Sequence, residues 1–271
     1  MELPGTIPSI KKKLKILMVA PQPWFQPRGT PFSVLHRIKA LSLLGHSIDL
    51  VTYPIGQDVP IENLTIHRAR PVAGIKNVKI GPSREKIFLD VVLYQKTRQL
   101  LKQNRYDLLH THEEASFFGP GLAKKYGLPH LYDMHSSLPQ QLDNFRFTTS
   151  TVVKSVFDKL EDYAIRNSSA IITICPELQR YIEQKFPEKP SLLIENVADN
   201  SLVFPVDKKT TDSMRKKYHL DDKRIVLYYG TLEAYQGIDL LVASAEKVVA
   251  RFNGRVHFML VGGNEAQIQR Y

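Results

Sequence analysis

The chain has 271 residues, of which 43% are hydrophobic and 24% charged, ordinary for a soluble globular protein with room for one full domain and part of another. No apolar run approaches the roughly 20 residues of a transmembrane helix, and Lys15 interrupts the early apolar stretch, so neither a membrane span nor a secretory leader is expected. The one cysteine, Cys175, cannot form an internal disulfide, which favours a reducing, cytoplasmic compartment. Lying between an apolar stretch and Pro176, Cys175 reads as a small core residue rather than a nucleophile. Charge is uneven: residues 1–105 hold 17 Lys and Arg against 6 Asp and Glu, so their excess of +11 accounts for the whole net charge of +10. That asymmetry suggests an anionic partner, either an acidic membrane surface, a phosphorylated substrate or nucleic acid. A solvated basic surface is the plain alternative.

Strand patterns fall at residues 14–20, 47–52, 64–68, 108–111, 130–134, 170–174 and 191–194, with helical patterns at 31–44, 84–103, 116–126, 152–166 and 176–185 between them. Alternation of strand and helix patterns with short turns predicts an α/β fold with a doubly wound parallel sheet. The first helix has clear punctuation. Thr30 can cap it, Pro31 suits its first turn, Phe32, Leu35 and Ile38 share a face, and Gly45 ends it. Further on, residues 224–230 read as a buried strand running into Gly230, 237–250 as a helix, and 256–261 as a strand ending at Gly262-Gly263. The expected organisation is a first domain over 1–200, a linker over 201–212, and the opening of a second α/β domain over 213–271. There is no tandem repeat or low-complexity segment.

The loop after the first strand, residues 21–30, has one glycine and lacks the G-x-G-x-x-G of dinucleotide binders; no G-x-x-x-x-G-K-[ST] occurs anywhere. What it offers is Arg28-Gly29-Thr30 at a helix start, either an anion site or a structural turn. The second candidate is Asp107-Leu-Leu-His110-Thr-His112-Glu113-Glu114, at the carboxyl end of a strand where open α/β sheets place ligands. Two residues apart, His110 and His112 share a strand face. His135 could join them around a metal, but the spacing is not a zinc signature and no metal is expected. One histidine that binds substrate while the other packs is the stronger reading; two strand-end histidines held by neighbours is the alternative.

Taken together, these residues resemble GT-B glycosyltransferases of family 4. Gly29 to Tyr53 looks like the family's first helix and "GH-x-V" strand, here Gly45-His46-Ser47-Ile48. Asp107 to Glu113 resembles its "D-x-x-H-x-H" strand end, and Tyr132 to Ser136 its "x-x-H-[ST]" segment. Ile194 to Asp199 with Phe204 resembles the "N-G-V-D…F" exit from the first domain, and Tyr228 to Gly237 the "G-R-L-x-x-x-K-G" opening of the second.

The resemblance implies two Rossmann-like domains facing across a cleft, the first for the acceptor and the second for a nucleotide-sugar donor. It implies transfer with retention and neither a cofactor nor an essential metal. By motif, His112 is the histidine beside the donor sugar, and Arg28, Gly29, Thr30, Gly230, Thr231 and Gln236 lie at the donor diphosphate. His135 and Glu113 are possible acceptor or sugar contacts. Thr231 and Gln236 replace the family's clamping arginine and lysine, and Val197 replaces a glycine. The family's paired glutamates are not found after Gly230, so this chain is expected to be inactive alone. The acceptor is expected to be a glycan or a lipid-linked sugar, and nucleic acid ranks below an anionic membrane surface as a partner. Competing readings are a non-catalytic acceptor- or membrane-binding module needing a partner chain, and a sugar-nucleotide epimerase of similar fold.

Overall fold

A computed structural model describes residues 12–26, 29–78, 83–144, 150–196, 206–233 and 236–271. Arg28, Lys79, Val197 and Phe204 lie outside the described residues. The chain divides into two compact units, residues 1–197 and 198–271.

The first unit alternates strand and helix: β1 (Lys15–Ala20), α1 (Gly29–Leu43), β2 (Ser47–Thr52), β3 (Leu64–Arg68), α2 (Arg84–Gln103), β4 (Leu108–His112), a 3-10 turn (Glu113–Phe117), α3 (Gly119–Tyr126), β5 (His130–Met134), α4 (Leu138–Asn144), α5 (Thr151–Asn167), β6 (Ala170–Thr173), α6 (Pro176–Lys185) and β7 (Ser191–Leu193). Seven parallel strands stand in the order β3-β2-β1-β4-β5-β6-β7. Their central strands are apolar on both faces because helices cover both. Val34, Leu35 and Ile38 of α1 pack on Met18, Ala20, Ile48 and Leu50. On the other face, Leu89, Leu93 and Leu100 of α2 pack on Leu17, Val19, Val51 and Leu109. Strand order reverses between β1 and β4, and such a reversal opens a crevice at the strands' carboxyl ends.

Several expectations need correction. Helix α1 starts at Gly29, so Thr30 lies inside its first turn rather than capping it. Phe32 is 39% exposed and meets Phe25 edge-on, ring centres 5.2 Å apart, instead of joining Leu35 in the core. The helix expected over 116–126 is broken: the chain tightens into the 3-10 turn first, and α3 starts only at Gly119. Strand β4 runs one residue further, to His112.

The second unit holds α7 (Lys208–Lys217), β8 (Arg224–Tyr229), α8 (Ile238–Arg251), β9 (Val256–Val261) and α9 (Glu265–Arg270). Helix α7 begins within the stretch read as a linker, and the Asp207 carboxylate caps it by accepting from Thr210 N at 2.6 Å. Strands β8 and β9 pair in parallel, Arg224 opposite Val256 and Tyr229 opposite Val261. At their ends Gly262, with φ +130°, passes so close to Gly230 that a Cβ would strike its carbonyl oxygen. Strand β8, expected to be buried, is largely exposed: Leu227 is 56% and Tyr229 80% accessible.

Candidate active site

Side-chain alternation along β4 sends His110 and His112 to the α1 face and Thr111 to the other. On the far face Thr111 Oγ1 bonds the His130 ring at 2.7 Å, and Ser168 Oγ holds that ring's second nitrogen at 2.9 Å. A Cβ on Gly119 would collide with the same ring. His130 is therefore a packed, satisfied core histidine.

The α1 face is different. Register places Asp133 of β5 directly opposite His112. Around the fully buried Asp133 carboxylate stand His110 Nε2 at 3.4 Å, His135 Nε2 at 3.5 Å and His112 Nδ1 at 3.8 Å. His112 Nδ1 and His135 Nε2 share a hydrogen bond of 2.9 Å, and the His110 and His112 rings stack 4.7 Å apart. From α1, Arg37 donates through Nε to Asp133 Oδ2 at 2.9 Å and through a second nitrogen to the Ile194 carbonyl at 3.0 Å. Burial disfavours a charged Asp133, but the fields of His135, His110 and His112 outweigh it and hold the carboxyl well below its ordinary range. Burial also pushes His112 and His135 below the usual histidine value, against the pull of Asp133, so both rings are neutral near pH 7. His112 Nε2, His135 Nδ1 and both His110 nitrogens are buried with no hydrogen-bond partner among the described residues. Such orphans in a native fold call for an explanation.

His110, His112 and Asp133 offer ligand atoms within 4.8 Å of one another, close enough for a metal ion. Arg37 already neutralises the one carboxylate, so a divalent cation would bring uncompensated charge into a dry site. The donor set fits a hydrogen-bonded relay better than a metal centre.

Of the other expected site residues, Thr30 and Glu113 come together: Thr30 Oγ1 donates to Glu113 Oε1 at 3.2 Å, tying the start of α1 to the end of β4. Glu113 adopts the left-handed region (φ +47°), a conformation that costs a non-glycine residue about 1–2 kcal/mol and clusters at functional sites. Gly29 opens α1 with free space around it. Gly230, Thr231 and Gln236 belong to the second unit, where Gly230 N donates to Val261 O at 3.0 Å and Tyr228 OH to Thr231 O at 2.7 Å. Sequence reading missed Asp133 and Arg37. The signals were a carboxylate inside the apolar His130–Met134 strand, and an arginine three residues after Val34 on the inward face of α1.

A second polar cluster lies beneath α2. Lys86 Nζ bonds Glu114 Oε1 at 2.7 Å, with only 13% and 12% of the two side chains exposed. Nearby, Tyr53 OH donates to Asp90 Oδ1 at 2.5 Å. Burial and the charge of Glu114 raise Asp90 to about 7. A cavity of about 510 Å³ lined by Lys13, Lys39 and Glu62 opens at the other end of the sheet, away from these groups.

An open parallel sheet with a first-strand reversal, and polar side chains gathered at the carboxyl ends of β4 and β5, make up a Rossmann-like ligand-binding domain. Residues 27–202 match the model of Glycosyltransferase Family 4, and the chain belongs to that family. An uncharacterised glycosyltransferase of Methanocaldococcus jannaschii is 22% identical over 227 residues, covering 78% of this chain and 54% of its own length. The chain thus spans about half of that curated relative. In fold, it resembles sucrose-phosphate synthase of Thermosynechococcus elongatus (TM-score 0.66, 19% identity, 94% of this chain and 72% of that one). It also resembles HepE of Anabaena, solved with UDP and glucose (TM-score 0.63, 16% identity, 95% and 64%). These likenesses do not favour the epimerase or non-catalytic readings.

Proposed function

We propose that the chain supplies the acceptor-side domain, and part of the donor-side domain, of a retaining enzyme that moves a sugar from a nucleotide-sugar to a glycan or lipid-linked acceptor. One observation carries this reading: the start of α1 is tied through Thr30 and Glu113 to the strand end that holds His112, beside the strand reversal. Departure of a nucleoside diphosphate builds negative charge, which the free N–H groups of a helix start stabilise. Gly29 lets the backbone approach the diphosphate, Thr30 adds a hydroxyl, and Arg28 adds charge. Gly230, Thr231 and Gln236 would serve from the second unit. His112 stands beside the donor sugar, and His135 and Glu113 beside the acceptor or sugar. No metal is required, since cationic and N–H donors meet the developing charge. With no paired glutamates in these residues, the 271-residue polypeptide by itself is expected to turn over little.

The test is calorimetry with UDP on a polypeptide joining these residues to a segment that carries the paired glutamates. Arg28→Ala should weaken binding by about 1–3 kcal/mol, the worth of a charge-assisted hydrogen bond. Unchanged affinity would remove Arg28 and the α1 start from the donor site.

A second element of the reading is peripheral attachment to the cytoplasmic membrane face. No helix among the described residues is long and apolar enough to cross a membrane. The outer face of α2 favours attachment: Ile87 and Phe88 are each 62% exposed and Val91 51%, on a stripe shared with exposed Arg84, Arg98 and Lys102. Lys86 is not part of that stripe: its side chain is 13% exposed and paired with Glu114.

A further inference from the structure

We infer that Asp133 and His135 are positioning residues that fix the tautomer of His112, so that His112 presents an Nε2–H donor to an oxygen of the donor substrate and does not act as a base. The inference rests on the proposed placement of His112 beside the donor and deepens it.

His135 Nε2 lies 2.9 Å from His112 Nδ1, with which it shares a hydrogen bond, and 3.5 Å from Asp133 Oδ1. An unprotonated Nε2 would set its lone pair 3.5 Å from an ionised carboxylate oxygen that has no hydrogen-bond partner among the described residues. A proton there bonds His112 Nδ1 and turns that repulsion into attraction. Asp133 Oδ2 is meanwhile occupied by Arg37 Nε at 2.9 Å, with His110 Nε2 at 3.4 Å, while His112 Nδ1 lies at 3.8 Å, too far for a hydrogen bond. Arg37 in turn is anchored on the Ile194 carbonyl, so the carboxylate cannot swing to meet His112 directly. The proton therefore lies on His135 Nε2, His112 Nδ1 accepts it, and a neutral His112 carries its own proton on Nε2.

That proton finds no acceptor among the described residues: His112 Nε2 is buried and without a partner there, and a buried donor left unmade is costly. A ligand oxygen, either a sugar hydroxyl or a departing phosphoryl oxygen, would complete it. The opposite tautomer would offer a lone pair and suit a general base. The relay selects between the two roles.

Long-range 1H–15N spectra of the uniformly labelled 271-residue chain read the tautomer directly, with His112→Gln assigning the signal. The expected pattern is a protonated Nε2 and an unprotonated Nδ1. In Asp133→Asn, the new amide turns its oxygen to Arg37 and its NH2 to His135 Nε2. His135 Nε2 then becomes an acceptor, and His112 should move its proton to Nδ1. Swapping carboxylate for amide inverts a histidine tautomer in the same way in serine proteases. His135→Gln should preserve the wild-type pattern, since its amide can still donate to His112 Nδ1. A protonated Nδ1 in the wild-type chain would overturn the inference, as would an unchanged tautomer in folded Asp133→Asn. Should either variant fail to fold, the wild-type spectrum decides alone. The spectra need no donor, so failure here is separable from failure of UDP binding.

Discussion

At the scale of single residues, the chain uses buried charge in two ways. Around Asp133, one arginine and three histidines surround a carboxylate, and four of the six ring nitrogens are buried without a partner among the described residues. Beneath α2, Lys86 and Glu114 form a mostly buried ion pair at 2.7 Å, with Asp90 and Glu113 adding negative charge around the ammonium. Breaking such a pair on one side strands the other charge in a dry environment and costs about 3–5 kcal/mol. Lys86→Met should destabilise by that amount in urea unfolding, because Glu114, whose Oε2 has no partner among the described residues, would keep its charge without its cation. Adding Glu114→Gln should recover a large part of the loss by removing the stranded charge. A single-variant effect below about 1 kcal/mol would mean that the pair is screened as a surface pair is. The burial of Lys86 was legible in the spacing: it shares a helix face with Leu89, Leu93 and Thr97, all buried.

At the scale of elements, periodicity served well where one face was plainly apolar. Helices α2 and α6 have the bounds their patterns predict, and all seven strands of the first unit stand where alternation put them. It failed where local chemistry competed. Residues 113–117 tighten into a 3-10 turn because Glu113 leaves β4 in a left-handed conformation, which no apolar pattern announces. The pairing of His110 with His112 was legible from a two-residue spacing on a strand, whereas Asp133 and Arg37 reach the site through register and helix packing. The β4 and β5 histidines also set how the fold responds to acid. Unfolded, a histidine titrates near pH 6.5, but burial lowers His135 below that and His112 well below it, and burial, with help from His110, lowers His130 to about 3. Below pH 6.5 the unfolded chain therefore binds more protons, and stability falls by roughly 1.4 kcal/mol per pH unit for each one. Asp90 has the opposite sign. Raised to about 7, it is penalised above that pH, and the folded state regains stability as it protonates between pH 7 and about 4. Asp90→Asn keeps an acceptor for Tyr53 but removes this offset. Urea unfolding between pH 8 and 5 should show wild type losing stability and the variant losing it more steeply. Parallel curves would show that Asp90 titrates alike in both states.

At the scale of the whole molecule, the basic excess of +11 over residues 1–105 falls in the first unit, on the side assigned here to the acceptor. Charge alone would fit a solvated surface. What sharpens it is the outer stripe of α2, where Arg84, Phe88, Val91, Gln95, Arg98 and Lys102 recur at intervals of three and four and are all exposed, with Ile87 beside them. Leu89, Leu93 and Leu100 on the opposite stripe hold the helix to the sheet, so the outward apolar residues are free of a core role. Apolar residues flanked by arginine and lysine suit the interface of an anionic leaflet, where each nearby basic residue gains about 1 kcal/mol and the apolar side chains enter the headgroup boundary. Exposed Lys76 lies in the same basic segment, a short way before α2. Nucleic acid would feel the same field, but no recognition motif accompanies the charge. The chain should co-sediment with vesicles containing phosphatidylserine and not with neutral ones, and release should follow as salt rises and screening shortens to about 8 Å at physiological ionic strength. Phe88→Ser with Val91→Ser should weaken binding at every salt concentration. Arg98→Gln with Lys102→Gln should weaken it mainly at low salt, because only the electrostatic part is lost. Equal binding to neutral and anionic vesicles, or binding unaffected by the Phe88 and Val91 changes, would detach α2 from the membrane reading and leave its stripe an ordinary solvated face.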